Sequence, residues 1–93
     1  MLMAHTVREK AKLLARVRRI RGQIDAVERA VETEMGCADV LQLIASVRGA
    51  VNGLMSEVLG THIRLHVADA ALDHDRRREG LNELIDVVRM YLK

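Results

Sequence analysis

The chain contains no proline, no phenylalanine and no tryptophan, and Tyr91 is its only aromatic residue. Without proline nothing interrupts a long helix, because the residue that removes a backbone donor and clashes with the preceding turn is missing. Without bulky aromatics the core falls to Leu, Ile, Val, Ala and Met, which bury less area apiece. The chain has 93 residues, and one of that size covers only about 60–65% of its unfolded surface on folding. Both facts favour a core shared between copies. The single cysteine, Cys37, excludes an intrachain disulfide framework and suits a reducing compartment. No apolar run reaches the roughly 20 residues that span a bilayer, and the opening MLMAHTVREK lacks the apolar stretch of a secretory signal. The expectation is an all-α, cytoplasmic protein with no membrane partner, forming one domain over residues 1–93.

The formal charge is only +2, but it is unevenly spread. Arg8, Lys10, Lys12, Arg16, Arg18, Arg19 and Arg21 crowd into one stretch with a single acid, Glu9. The acids gather from Asp25 to Asp39 and again in the last third. A basic stripe on a nearly neutral chain points to a polyanion such as DNA. The competing reading is a solvated helix face on an oligomerisation module with no DNA role.

Three helices are expected. The first runs from about Val7 to about Glu34, with Leu13, Val17, Ile20, Ile24, Val27 and Val31 as a heptad-like seam. Gly36 then suits the left-handed position that follows a helix end. The second starts close to Cys37 and continues to about Val67, and so short a connection makes the first two helices an antiparallel hairpin. Its apolar band (Val40, Leu41, Ile44, Val47, Val51, Leu54, Met55, Val58, Leu59) is wide enough to be covered on more than one side. Ala68 to Arg78 reads as a polar linker. A third helix from about Glu79 to Leu92 offers Leu81, Leu84, Ile85, Val88 and Tyr91 as its buried stripe.

Cys37, His62 and His66 share one face of the second helix. At 100° per residue His62 falls about 20° to one side of Cys37 and His66 about 20° to the other. Along the axis, however, Cys37 and His62 are about 37 Å apart at 1.5 Å per residue. Two copies of the helix packed antiparallel about a twofold near Ala50 and Val51 would bring Cys37 of one chain beside both histidines of the other. Gly49, Ala50 and Gly53 lie near that crossing. Histidines at i, i+4 are a recurring metal-binding pair, and a thiol on the same stripe strengthens that reading against ordinary polar surface residues. His5, near the N-terminus, is a candidate fourth donor. No nucleophile–base–acid arrangement, glycine-rich phosphate loop, CxxC or zinc-finger spacing is present, so an enzyme is not expected.

The segments RVRRIRGQIDAVERAV (Arg16–Val31) and VLQLIASVRGAVNGLMSEVLGTHIRLHV (Val40–Val67) closely resemble the CsoR/RcnR family of bacterial repressors. The resemblance implies a three-helix protomer, an antiparallel four-helix-bundle dimer and a dimer of dimers that binds operator DNA through basic residues and releases it on binding an inducer. It implies DNA contact by Arg16 and Arg19, to which Arg8, Lys12 and Arg18 would add. The copper branch has a second cysteine where this chain has His66. The nickel/cobalt branch has a tail histidine, then Cys, His and His, matched here by His5, Cys37, His62 and His66. The formaldehyde branch joins the Cys to the N-terminal amine, and has a proline at the N-terminus and usually a glutamate at the last position. Leu2 and His66 depart from it, although RVRRIRGQIDAVER resembles its first helix. The donor set implies a repressor released by Ni(II) or Co(II), and Zn(II) would also bind such donors. A formaldehyde-responsive repressor is the alternative.

Overall fold

The computed structural model describes residues 7–93, and every regular element among them is a helix. α1 spans Val7–Glu32, α2 Cys37–His66 and α3 His74–Tyr91. The chain divides into two compact units, one ending at Met55 and the other running from Ser56 to Lys93 among the described residues, so that α2 contributes to both. Among the described residues no helix is long and apolar enough to cross a membrane.

In the first unit α1 and the first part of α2 form the expected hairpin, but its turn is built differently from the expectation. Glu34, with φ 55°, takes the left-handed position, and no described glycine does. The Met35 N–H donates to the Ala30 carbonyl at 2.9 Å and the Glu34 N–H to that of Val31 at 3.1 Å, the paired bonds of a Schellman ending. Gly36 instead opens α2, its carbonyl accepting from the Asp39 and Val40 N–H groups at 3.0 and 3.1 Å. A β-carbon in the left-handed region crowds its carbonyl by about 1–2 kcal/mol, and the two bonds to otherwise orphaned carbonyls offset that cost.

The apolar seam of α1 is covered along one edge and open along the other. Leu13, Ile20 and Val27 are half-buried, along with Arg16, Gln23 and Ala26, and Ala30 is fully covered at 1% exposure. Val17, Ile24 and Val31, which interleave with them at seven-residue steps, stay open at 36%, 49% and 60%. On α2, Val40, Leu43, Val47 and Ala50 are half-buried whereas Leu41, Ile44 and Val51 are exposed. Ala30 is the only buried apolar residue among those described, and no large side chain there is fully buried. The single chain thus leaves one edge of the apolar band open on each helix of the hairpin.

In the second unit α3 begins five residues before its expected start, and His74 is its first residue rather than part of a linker. Asp73 is the reason. Its backbone is extended at φ −75°, ψ 172° and its carboxylate accepts the Arg76 N–H at 2.8 Å, which satisfies one of the donors a helix start leaves orphaned. The remaining connection is tied by Arg77, whose guanidinium donates to the Val67, Asp69 and Leu72 carbonyls at 2.9, 2.9 and 3.4 Å. Asp69 accepts the Ala71 N–H at 2.9 Å in a local turn. The expected α3 stripe is mostly uncovered. Leu84 is half-buried, but Leu81, Ile85, Val88 and Tyr91 remain 39–47% exposed.

Candidate metal centre and nucleic-acid interface

α2 runs unbroken from Cys37, its first residue, to His66, its last. The one-turn spacing of His62 and His66 places their rings side by side, with centroids 4.9 Å apart and planes tilted by 37°. His62 is further fixed by α3. Its Nε2 lies 2.9 Å from the Gly80 carbonyl oxygen and 3.9 Å from Glu83 Oε1. The ring is largely covered, at 22% side-chain exposure, while Glu83 is open at 58%. Nearby, the buried Thr61 donates its hydroxyl to the Glu57 carbonyl at 3.1 Å and accepts from Arg64 at 3.2 Å. Gly80 and Glu83 were not singled out in the sequence. A helix start near Glu79 puts Gly80 in the first turn, where a glycine gives no sign of a close approach.

Two imidazoles in this arrangement can share one borderline metal ion such as Ni(II), Co(II) or Zn(II), and a thiolate would complete a mixed N/S set. Cys37 is free and exposed. Among the described residues no three His, Cys, Asp or Glu side chains gather closely enough to hold an ion. The structure therefore brings together His62 and His66 and leaves Cys37 at the other end of the helix. His5 lies outside the described residues, as do Leu2 and the N-terminal amine.

The five basic residues all lie on α1. On its helical wheel Arg8, Lys12 and Arg19 fall within about 40° of one another, with Arg16 about 80° to one side of Arg8 and Arg18 about 80° to the other. Arg8, Lys12, Arg18 and Arg19 are exposed and Arg16 is half-buried. The Arg16 guanidinium rests over α2 at Gly53, where a β-carbon would approach its Nη1 to 3.1 Å. The stripe is thus a ridge of three exposed cations with one flank leaning on the neighbouring helix.

An exposed basic ridge on α1 and a histidine pair on α2 suit a small helical protein that meets a polyanion and a metal ion. Residues 9–90 match the family described as metal-sensitive transcriptional repressors. The chain is 44% identical over 91 residues to the transcriptional repressor RcnR of Salmonella paratyphi B, covering 98% of this chain and all of that protein. It is 53% identical over 91 residues, with the same coverage, to a Serratia marcescens protein known by its position in the bioA 5′ region. Among solved structures it matches a glutamate-to-histidine variant of the formaldehyde-responsive regulator FrmR from Salmonella enterica serovar Typhimurium. That match has a TM-score of 0.86 and 44% identity over 94% of this chain and 98% of the other. It also matches the copper-sensing repressor CsoR with Cu(I) from Geobacillus thermodenitrificans, with a TM-score of 0.89 and 28% identity over 99% and 95% of the two chains. The chain belongs to the metal-sensitive transcriptional repressor family, CsoR/RcnR. Its members are repressors, not enzymes.

Proposed function

We propose that this repressor is a single cytoplasmic sensing domain over residues 1–93 that leaves its operator DNA on binding Ni(II) or Co(II). The observation that carries the reading is the His62–His66 pair, with ring centroids 4.9 Å apart. At His66 the copper branch would have a thiolate and the formaldehyde branch a carboxylate. The likeness to RcnR agrees with the nickel/cobalt branch, while the FrmR variant is equally similar at 44% identity, so the donor at residue 66 carries the choice. Cys37 and His5 complete the donor set. Imidazoles with one thiolate suit Ni(II), Co(II) and also Zn(II).

The working unit is a dimer of dimers. Val17, Ile24 and Val31 on α1 and Leu41, Ile44 and Val51 on α2 supply the apolar faces that a second copy covers. Gly49 has open space around it, with nothing within 4 Å of where a β-carbon would stand. A partner α2 crossing there antiparallel sets Cys37 of one protomer beside His62 and His66 of the other. Arg8, Lys12 and Arg19, flanked by Arg16 and Arg18, neutralise operator phosphates. Regulation then requires the donors to hold metal more tightly in the DNA-incompetent state, since only differential affinity moves an equilibrium.

The test is Co(II) titration of the purified protein, followed optically and by operator gel shift. A sulfur-to-metal charge-transfer band that Cys37→Ala removes, with DNA release that the variant also loses, is the expected result. The formaldehyde reading draws on the exposed Cys37 and on the FrmR relative. It predicts instead DNA release and a one-carbon mass increase on aldehyde exposure, with Co(II) ineffective.

A further inference from the structure

Gly80 is the seventh residue of α3 and is buried, a place where glycine weakens a helix and needs a reason. The structure gives two. A β-carbon at Gly80 would overlap the His66 carbonyl oxygen and stand 2.7 Å from the His66 carbonyl carbon and 2.9 Å from its Cβ. Two of these are backbone atoms at the end of α2, which cannot swing aside, so α3 reaches α2 only where residue 80 has no side chain. At this contact the Gly80 carbonyl oxygen meets His62 Nε2 at 2.9 Å. A carbonyl accepts and never donates, so in the neutral ring Nε2 carries the proton and Nδ1 the lone pair. Glu83 Oε1, at 3.9 Å from the same nitrogen, is beyond hydrogen-bonding distance.

We propose that Gly80 is a positioning residue of the sensor site: its missing side chain seats α3 against His66, and its carbonyl fixes His62 as an Nε2–H tautomer that presents Nδ1 to the ligand. This rests on the reading of His62 as a metal donor. The carbonyl does for His62 what an outer-shell acceptor does for a metal-binding imidazole, holding ring orientation and tautomer before the ion arrives. It also joins the helix that carries the donors to the helix beside it through one bond.

The test uses full-length protein labelled with 15N in the histidine rings. In metal-free protein at alkaline pH, His62 should show a protonated-type shift at Nε2, an unprotonated-type shift at Nδ1, and an NOE from the Nε2 proton to the Gly80 α-protons. Gly80→Ala should abolish the tautomer preference and weaken Co(II) binding about 10–100-fold, the usual cost of losing an outer-shell partner. Glu83→Gln should keep the tautomer. An Nδ1–H tautomer in the unaltered protein, or a Gly80→Ala variant with tautomer and affinity unchanged, overturns the proposal. Should Gly80→Ala not fold, the NOE and tautomer of the unaltered protein decide alone. A protein that binds no Co(II) yet shows the Nε2–H tautomer and the NOE would refute the donor role and leave the contact standing.

Discussion

Ile44→Asp tests the proposed dimer where the single chain leaves α2 open. Ile44 is 47% exposed on α2, so a partner has about half of the side chain left to cover. Full burial of an isoleucine is worth roughly 1.5–3 kcal/mol, and half of that is roughly 0.7–1.5 kcal/mol per copy. A twofold dimer contains the site twice, giving roughly 1.5–3 kcal/mol, or roughly a 10- to 150-fold rise in the dimer dissociation constant. The carboxylate adds a desolvation penalty of several kcal/mol per ion if it stays in the interface, so dissociation at micromolar concentration is the expected outcome. Sedimentation velocity across a dilution series reads it directly. A thermal melt at each concentration should show the concentration dependence of an assembly whose folding and association are linked. Unchanged mass and melting for Ile44→Asp, or a stable folded monomer for the unaltered protein, would refute the argument from the uncovered faces.

Arg19→Ala should weaken operator binding and lower the slope of log affinity against log salt by about one, because that slope counts neutralised phosphates. Metal affinity should not change. Glu34→Gly should raise stability by about 0.5–1 kcal/mol in denaturant unfolding, since it removes a β-carbon from the left-handed backbone at φ 55°. No gain would mean that the turn relaxes in solution. His66→Glu should weaken Ni(II) and Co(II) by replacing an imidazole with a harder oxygen donor. His5→Ala should impair DNA release more than metal affinity. If both variants still release DNA on Co(II), neither histidine is a required donor; if formaldehyde releases DNA from the unaltered protein and Co(II) does not, the aldehyde reading replaces the metal one.

The parts of the fold legible in the sequence are those set by a local period. The start of α2 at Cys37 and its end one residue before the expected Val67 follow from the apolar spacing and the short turn. The parts that were misread break a residue preference or depend on local hydrogen bonds. Gly36 was the natural occupant of the left-handed position, but the Schellman bonds from Glu34 and Met35 fix the register two residues earlier. Asp73 was lost in a polar run because Asp69, Asp73 and Asp75 look alike in sequence. Its carboxylate bond to the Arg76 N–H and its carbonyl bond to the Arg77 N–H mark it as the helix cap. The α1 seam is one stripe, but an apolar pattern shows how much surface needs cover, not which edge the neighbouring helix covers.

The same reasoning separates what the sequence reveals of the site. His62 and His66 were legible because four residues make one helical turn, and the structure sets their rings 4.9 Å apart. Gly80 meets His62 across 18 residues of sequence and an intervening loop, and no helical period links them. That contact exists because Asp73 starts α3 early enough for residue 80 to lie within the helix, and because Arg77 ties the connection to the Val67 carbonyl at 2.9 Å. A later helix start, as the polar run implied, would leave Gly80 in the first turn and remove the reason for a glycine there. The cap misread in the sequence and the glycine overlooked in it are therefore one omission. A local bond at Asp73 decides whether the Gly80 carbonyl on α3 is in place to orient the His62 ring on α2.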